Sequence, residues 1–112
     1  MSDCLFCRIV AGEVPSKRVY DDERIYAFED IAPKAPVHIL VVPKKHLSRL
    51  ADASAADTAL IGALATGAAA IARERDLPHY RLVLNNGEGA GQTVFHLHIH
   101  LLAGRPFSWP PG

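Results

Sequence analysis

Hydrophobic positions along the chain change period three times. Between Asp3 and Gly12, Leu5, Phe6, Ile9 and Val10 recur at helical spacing, which predicts a short amphipathic helix stopped by Gly12. After Pro15, the segments Arg18 to Tyr20, Ile25 to Phe28 and Val37 to Val42 read as strands, separated by an Asp21-Asp22 turn and by Pro33 and Pro36. Consecutive short strands favour an antiparallel meander. The helical period returns at Ser54-Ala-Ala-Asp57, which has the form of a capping box. Leu60, Ile61, Leu64, Ala68 and Ile71 then mark one apolar stripe, predicting a long helix from about Ser54 to Arg75. Gly62 and Gly67 weaken that helix slightly and permit close approach, either of a second subunit or of the protein's own core. Arg81 to Leu84 and Val94 to Leu102 read as two more strands, joined by Asn85 to Gln92, a loop containing Gly87, Gly89 and Gly91. The terminal Trp109-Pro110-Pro111-Gly112 fits neither helix nor central strand. The expectation is one α+β domain over residues 1–112 with an extended tail from 103 to 112.

Composition narrows the function classes. A chain of 112 residues, 49% hydrophobic, suffices for one core but is small enough for association to help bury surface. Its 12 basic and 12 acidic residues balance, so no global field attracts nucleic acid or an anionic membrane, and neither is expected as a partner. No apolar run is expected to span a membrane, and Met1-Ser2-Asp3-Cys4 lacks the regions of a signal peptide, so a cytoplasmic protein is expected. Cys4 and Cys7 form a Cys-x-x-Cys pair, too close together to staple a fold. In a reducing compartment they point to metal or redox chemistry, or are spare thiols.

His96-Leu97-His98-Ile99-His100-Leu101 alternates imidazole and aliphatic side chains. On a strand, side chains change face at each residue, so all three imidazoles point one way. Three histidines in register need partners or a ligand to offset their desolvation. Neutral imidazole serves equally as metal ligand, nucleophile or proton shuttle. The Gly-rich loop just before the strand offers backbone N–H groups to anionic oxygens, with Gln92 and Thr93 adding side-chain donors. It lacks the lysine and following helix of a Walker motif, and no carboxylate cluster is at hand for magnesium, so covalent phosphoryl or nucleotidyl chemistry through a histidine is the simpler reading.

The segment from His96 to Leu102 resembles the signature of the histidine triad family. Further likeness runs through Phe28-Glu-Asp30-Ile31-Ala-Pro33, Ala35-Pro-Val-His38, Val42-Pro-Lys-Lys-His46, Asn85, Gly91-Gln92-Thr93-Val-Phe and the Trp109-Pro-Pro-Gly112 tail. The tail and the complete third histidine resemble the branch that includes the purine nucleoside phosphoramidases. The resemblance implies a five-stranded antiparallel sheet with one long and one short helix, dimerising into a continuous sheet. It implies that His98 attacks the α-phosphorus of a purine nucleoside phosphoramidate or acyl-adenylate. A nucleotidyl-histidine intermediate follows, which water cleaves. His38, His96 and His100 complete the catalytic set. Asp30 would accept from the ribose hydroxyls, and Phe6, Ile9, Phe28, Ile31 and Leu40 would form the purine slot. Asn85, Gly91, Gln92 and Thr93 would contact the nucleotide. Thr93 stands where the family often has serine.

The resemblance further implies that Trp109 lies near a partner's site, although an anchor for the C-terminus is the competing role. It also implies a structural zinc ion on Cys4, Cys7, His46 and His96. Competing functions are a dinucleoside polyphosphate hydrolase of the same superfamily and a nucleotide-sensing interaction protein without turnover.

Overall fold

The computed structural model describes residues 3–112. The reading of Met1 and Ser2 as the start of a leaderless chain lies outside them.

The elements are α1 (Leu5–Val10), β1 (Arg18–Asp21), β2 (Ile25–Glu29), β3 (Val37–Pro43), α2 (Thr58–Glu74), β4 (Tyr80–Val83) and β5 (Ile99–Ala103). The five strands form one antiparallel sheet in the order β1-β2-β3-β5-β4. This is the expected α+β fold. The first three strands are the anticipated meander. The second half departs from it, because β5 takes the place beside β3 and leaves β4 at the edge. The cause lies in the strands: Ile99, Leu101 and Ala103 of β5 are buried, whereas Tyr80 and Leu82 of β4 are exposed and suit an edge.

Alternation along the strands builds two cores. Ile25, Ala27, Ile39, Val41, Ile99 and Leu101 face α2 and pack with Leu64, Ala68 and Ile71. Tyr26, Phe28, Leu40 and Val42 face the other way and pack with Phe6 and Ile9 of α1. α2 starts at Thr58 rather than Ser54, because the capping box closes a separate 3-10 turn at Ala55–Asp57: Ser54 N–H donates to Asp57 at 2.9 Å, and Ala56 N–H donates to Ser54 Oγ at 3.3 Å. A Cβ on Gly67 would stand 2.5 Å from Ile25 Cδ1, so this glycine seats the helix on its own sheet; at Gly62 a Cβ would meet nothing within 4 Å. Residues 55–74 are in fact long and apolar enough, by length and composition, to cross a membrane. Here they bury Leu64, Ala68, Ile71 and Ala72 as the core helix.

The strand expected over Val94 to Leu102 forms only from Ile99. Its register with β3 pairs Val41 with Ile99, and continuing it backwards would set Leu97 against Pro43, which has no N–H to donate. Leu97 N–H instead donates to Leu47 O at 2.6 Å. Leu97 is buried in the α2 core while His96 and His98 pack against Phe6 of α1, so the alternation of faces survives outside the ladder.

Candidate functional site

The imidazoles gather between the sheet and α1. Ring centroids of His98 and His100 are 4.9 Å apart, those of His38 and His100 5.1 Å, and those of His46 and His96 5.0 Å. β3 supplies His38 and β5 supplies His100, with Leu40 paired opposite His100.

Main-chain contacts fix the tautomers. His98 Nδ1 lies 2.7 Å from His96 O, a carbonyl that can only accept, so Nδ1 carries the proton and Nε2 keeps its lone pair. His96 Nε2 lies 2.7 Å from Pro43 O, so there Nε2 carries the proton and Nδ1 is the basic atom. At His38 the polarity is reversed: Lys34 N–H donates to His38 Nδ1 at 3.0 Å, which puts the proton on Nε2. His38 Nε2–H in turn faces His100 Nδ1 at 2.9 Å and Asp30 Oδ2 at 3.5 Å. His100 is thereby left with its own proton on Nε2. The direction of hydrogen bonding runs from Lys34 through His38 to His100.

Burial keeps these rings neutral. Desolvation lowers the proton affinity of His38, with Lys34 adding to it and Asp30 opposing it. Desolvation likewise lowers His98, and it pushes His100 down to about 4 with help from its neighbours His98 and His38. The approach of His38 to Asp30 at 3.5 Å is therefore that of a neutral ring beside a carboxylate, not an ion pair, since the Nε2–H is directed at His100.

A cavity of about 280 Å³ opens beside the rings. Phe6, Ile9, Phe28, Ile31 and Leu40 line it, as anticipated for a slot; Ile31 forms its lip and is 99% exposed. Asp30, Thr93, His98 and His100 line its polar end. Asp30 Oδ1 accepts from Ala32 N–H at 2.8 Å, which fixes the carboxylate at the cavity wall. The cavity also takes in Leu5, Val14 and Val94, which the sequence reading did not single out.

Gln92 is a correction. Its side chain was expected to offer a donor to phosphate, but Nε2 donates to Ser48 O at 2.7 Å and Val94 O at 3.1 Å, and Oε1 accepts from Gly87 N–H at 2.8 Å. Its own N–H is given to Gly87 O. Gln92 is 2% exposed and braces the loop from within. Asn85 stands beside Gly91, whose φ of +99° suits glycine, and neither lines the cavity. Trp109 is 81% exposed, which removes the anchoring role on its own subunit. The tail is held instead by Arg81, which donates to Ser108 O at 3.0 Å and lies 5.4 Å from the Phe107 ring centre, and by Arg105, which donates to Lys34 O at 3.2 Å.

Among the described residues two clusters group potential metal ligands, and hydrogen-bond polarity separates them. Cys4, Cys7, His46 and His96 bring their ligand atoms within 4.8 Å of one another. His96 Nδ1, the basic nitrogen, lies 3.3 Å from Cys4 Sγ, 3.4 Å from Cys7 Sγ and 3.2 Å from His46 Nδ1. Two thiols and two imidazoles around one point match the donor set of tetrahedral zinc. The second group, Asp30, His38 and His100, also falls within 4.8 Å. There, a metal on His38 Nε2 would require a proton on Nδ1, facing the N–H of Lys34. That cluster is built to pass hydrogen bonds, not to hold a cation. The donor that decides this, a main-chain N–H at Lys34, has no side-chain signal by which sequence reasoning could have found it.

The family model described as HIT domain matches residues 11–107. An uncharacterised HIT-like protein of Synechocystis sp. is 50% identical over 111 residues, covering 98% of this chain and 97% of that protein. A solved HIT family hydrolase from Legionella pneumophila superposes with a TM-score of 0.95 at 45% identity, covering 98% of this chain and 100% of that one. A histidine triad nucleotide-binding protein from Candida albicans superposes with a TM-score of 0.81 at 29% identity, covering 96% and 83% of the two chains.

Proposed function

The chain belongs to the HIT domain family, and we propose that it is a hydrolase of purine nucleoside 5′-monophosphate derivatives, cleaving P–N or acyl phosphate bonds through a nucleotidyl-histidine. The observation that carries this reading is the bond from His98 Nδ1–H to His96 O at 2.7 Å, which leaves Nε2 basic on a ring that lines the cavity. The cavity has apolar walls and a polar end, and its size is at the lower limit of small-ligand sites, about 300 Å³, which suits a nucleoside. The similarity to a solved HIT family hydrolase supports hydrolysis, and that to a nucleotide-binding protein supports the ligand class.

In the first step, His98 Nε2 forms a bond to phosphorus as the bond to the leaving amine or carboxylate breaks. In the second, water attacks phosphorus and gives up a proton to solvent as the P–N bond to His98 breaks, releasing the nucleoside monophosphate and restoring neutral imidazole. His100 Nε2–H donates to a phosphate oxygen or to the departing atom, its orientation set by His38. Thr93 Oγ1 lines the same polar end and serves the phosphate oxygens, while Asp30 takes the ribose hydroxyls. A phosphoramidate that enters protonated at nitrogen brings with it the proton its amine leaving group needs.

Cys4, Cys7, His46 and His96 are the residues that would hold zinc. A four-ligand site of that kind is closed, and when filled it supplies a cross-link between the N-terminal segment and the histidine strand. The exposed edge of β4 is the surface proposed to pair with a second copy, and exposed Trp109 would then reach the partner's site.

The test is turnover of an adenosine phosphoramidate carrying a fluorescent amine, followed for the wild type and His98→Ala. Turnover is expected to fall by about a thousandfold or more in the variant, with AMP binding retained. Binding without turnover in the wild type would assign the site to nucleotide sensing.

A further inference from the structure

α1 is six residues long, too short to be stable alone, and the structure holds it at both ends of its role. Cys4 is its N-cap and Cys7 lies in its first turn, with Cys7 Sγ 3.3 Å from His46 Nδ1 and 3.4 Å from His96 Nδ1. The opposite duty falls to Phe6 and Ile9, which line the cavity. Phe6 packs edge-on against Phe28 at 5.4 Å and against His98 at 5.1 Å between ring centres. The same helical turn thus carries two metal-ligand candidates and the apolar wall of the base slot. Ribose and phosphate, on the reading above, are served instead by Asp30 and Thr93 from the β2–β3 and β4–β5 loops and by His100 from β5.

We propose that Cys4, Cys7 and His46 are positioning residues of the base slot. A zinc ion held by them and His96 keeps α1 docked, and with it the site's affinity for the purine rather than for the ribose phosphate. This rests on the nucleotide reading above. With the metal bound, the slot exists before ligand arrives. With the metal removed, α1 is docked only part of the time, and apparent affinity for the base falls in proportion to that fraction.

The experiment compares zinc-loaded protein, chelated protein under reducing conditions, and the same protein reloaded with zinc. Dissociation constants are measured for AMP and for ribose 5-phosphate, with far-UV circular dichroism for the sheet and hydrogen exchange of the α1 amides. His46→Ala, which removes the exposed ligand, gives a second route to metal loss. The expected result is that AMP affinity drops about tenfold, as for an α1 docked about a tenth of the time. Ribose 5-phosphate changes less than twofold, α1 amides lose protection, and reloading the wild type restores both AMP affinity and protection. Equal AMP affinity with and without metal would overturn the inference. So would equal loss for both ligands, which marks a merely stabilising metal, or failure of the protein to bind zinc. If zinc-loaded protein does not bind AMP at all, the nucleotide reading itself fails, a result distinct from each of these.

Discussion

The division of labour among the five clustered histidines is decided atom by atom. His98, His96 and His38 each touch a main-chain group through one nitrogen, and the identity of that group, carbonyl or amide, dictates which nitrogen is basic. His98 thereby presents a basic Nε2, His96 a basic Nδ1 and His38 a donating Nε2–H, although the three have the same side chain. Asp30 belongs at this scale too. Asp30→Ala removes the carboxylate beside His38 and is expected to weaken AMP binding by about 1.5–3 kcal/mol, the range for hydrogen bonds to a charged group, with a smaller effect on the rate of bound substrate. Calorimetric titration set beside single-turnover kinetics separates the two, and an unchanged affinity would remove Asp30 from the ribose. The triad and the Cys-x-x-Cys pair were legible in the sequence because each is a chemically distinctive set of side chains at a telling spacing, whereas Asp30 was legible only through the family resemblance. The true task of Gln92 was not, because a buried amide that braces a loop and an exposed one that greets phosphate are the same letter.

At the scale of elements, the loop between β4 and β5 owes its shape to Gln92. Gln92→Leu keeps the volume but deprives Gly87 N–H, Ser48 O and Val94 O of their side-chain partner. A loss of about 2–3 kcal/mol of stability is expected, near 1 kcal/mol for each lost bond. Urea unfolding measures it. Turnover should fall as well, since Thr93 and Val94 line the cavity directly after it. The start of β5 shows how a partner overrides local pattern. Val94 to His98 alternates like strand, yet Pro43 at the end of β3 has no N–H with which to continue the ladder. The histidines nonetheless share a face: across the bend at 94–96, His96 and His98 both pack on Phe6 while Leu97 between them turns into the other core.

For the whole molecule, buried neutral histidines make stability depend on pH. His38, His98 and His100 all bind protons less readily folded than in the unfolded chain, where a histidine titrates near 6.5. Their burial costs nothing above that pH. As the pH falls below 6.5 the unfolded chain takes up protons first, so stability declines and continues to decline until His100 titrates at about 4. Thermal melting of the protein between pH 8 and 4 should show that slope, and His100→Asn should flatten part of it. The exposed β4 edge makes a further prediction: sedimentation equilibrium should show a dimer, and Leu82→Pro, which removes an edge N–H, should shift it towards monomer. A monomeric wild type would discard the edge pairing.

By itself the sequence determined the fold class, the two helices, the placement of most strands, the three alternating histidines and the Cys-x-x-Cys pair. Those features are written in local periodicity and in side-chain chemistry, which need no partner to be read. Only the tertiary structure decided that β5 lies inside β4, that Gly67 serves the molecule's own core, and that Gln92 turns inward. It also decided which nitrogen of each histidine is basic. All of these depend on what stands opposite a residue across the fold: a proline without a donor, an isoleucine methyl, a carbonyl or an amide contributed from a distant part of the chain.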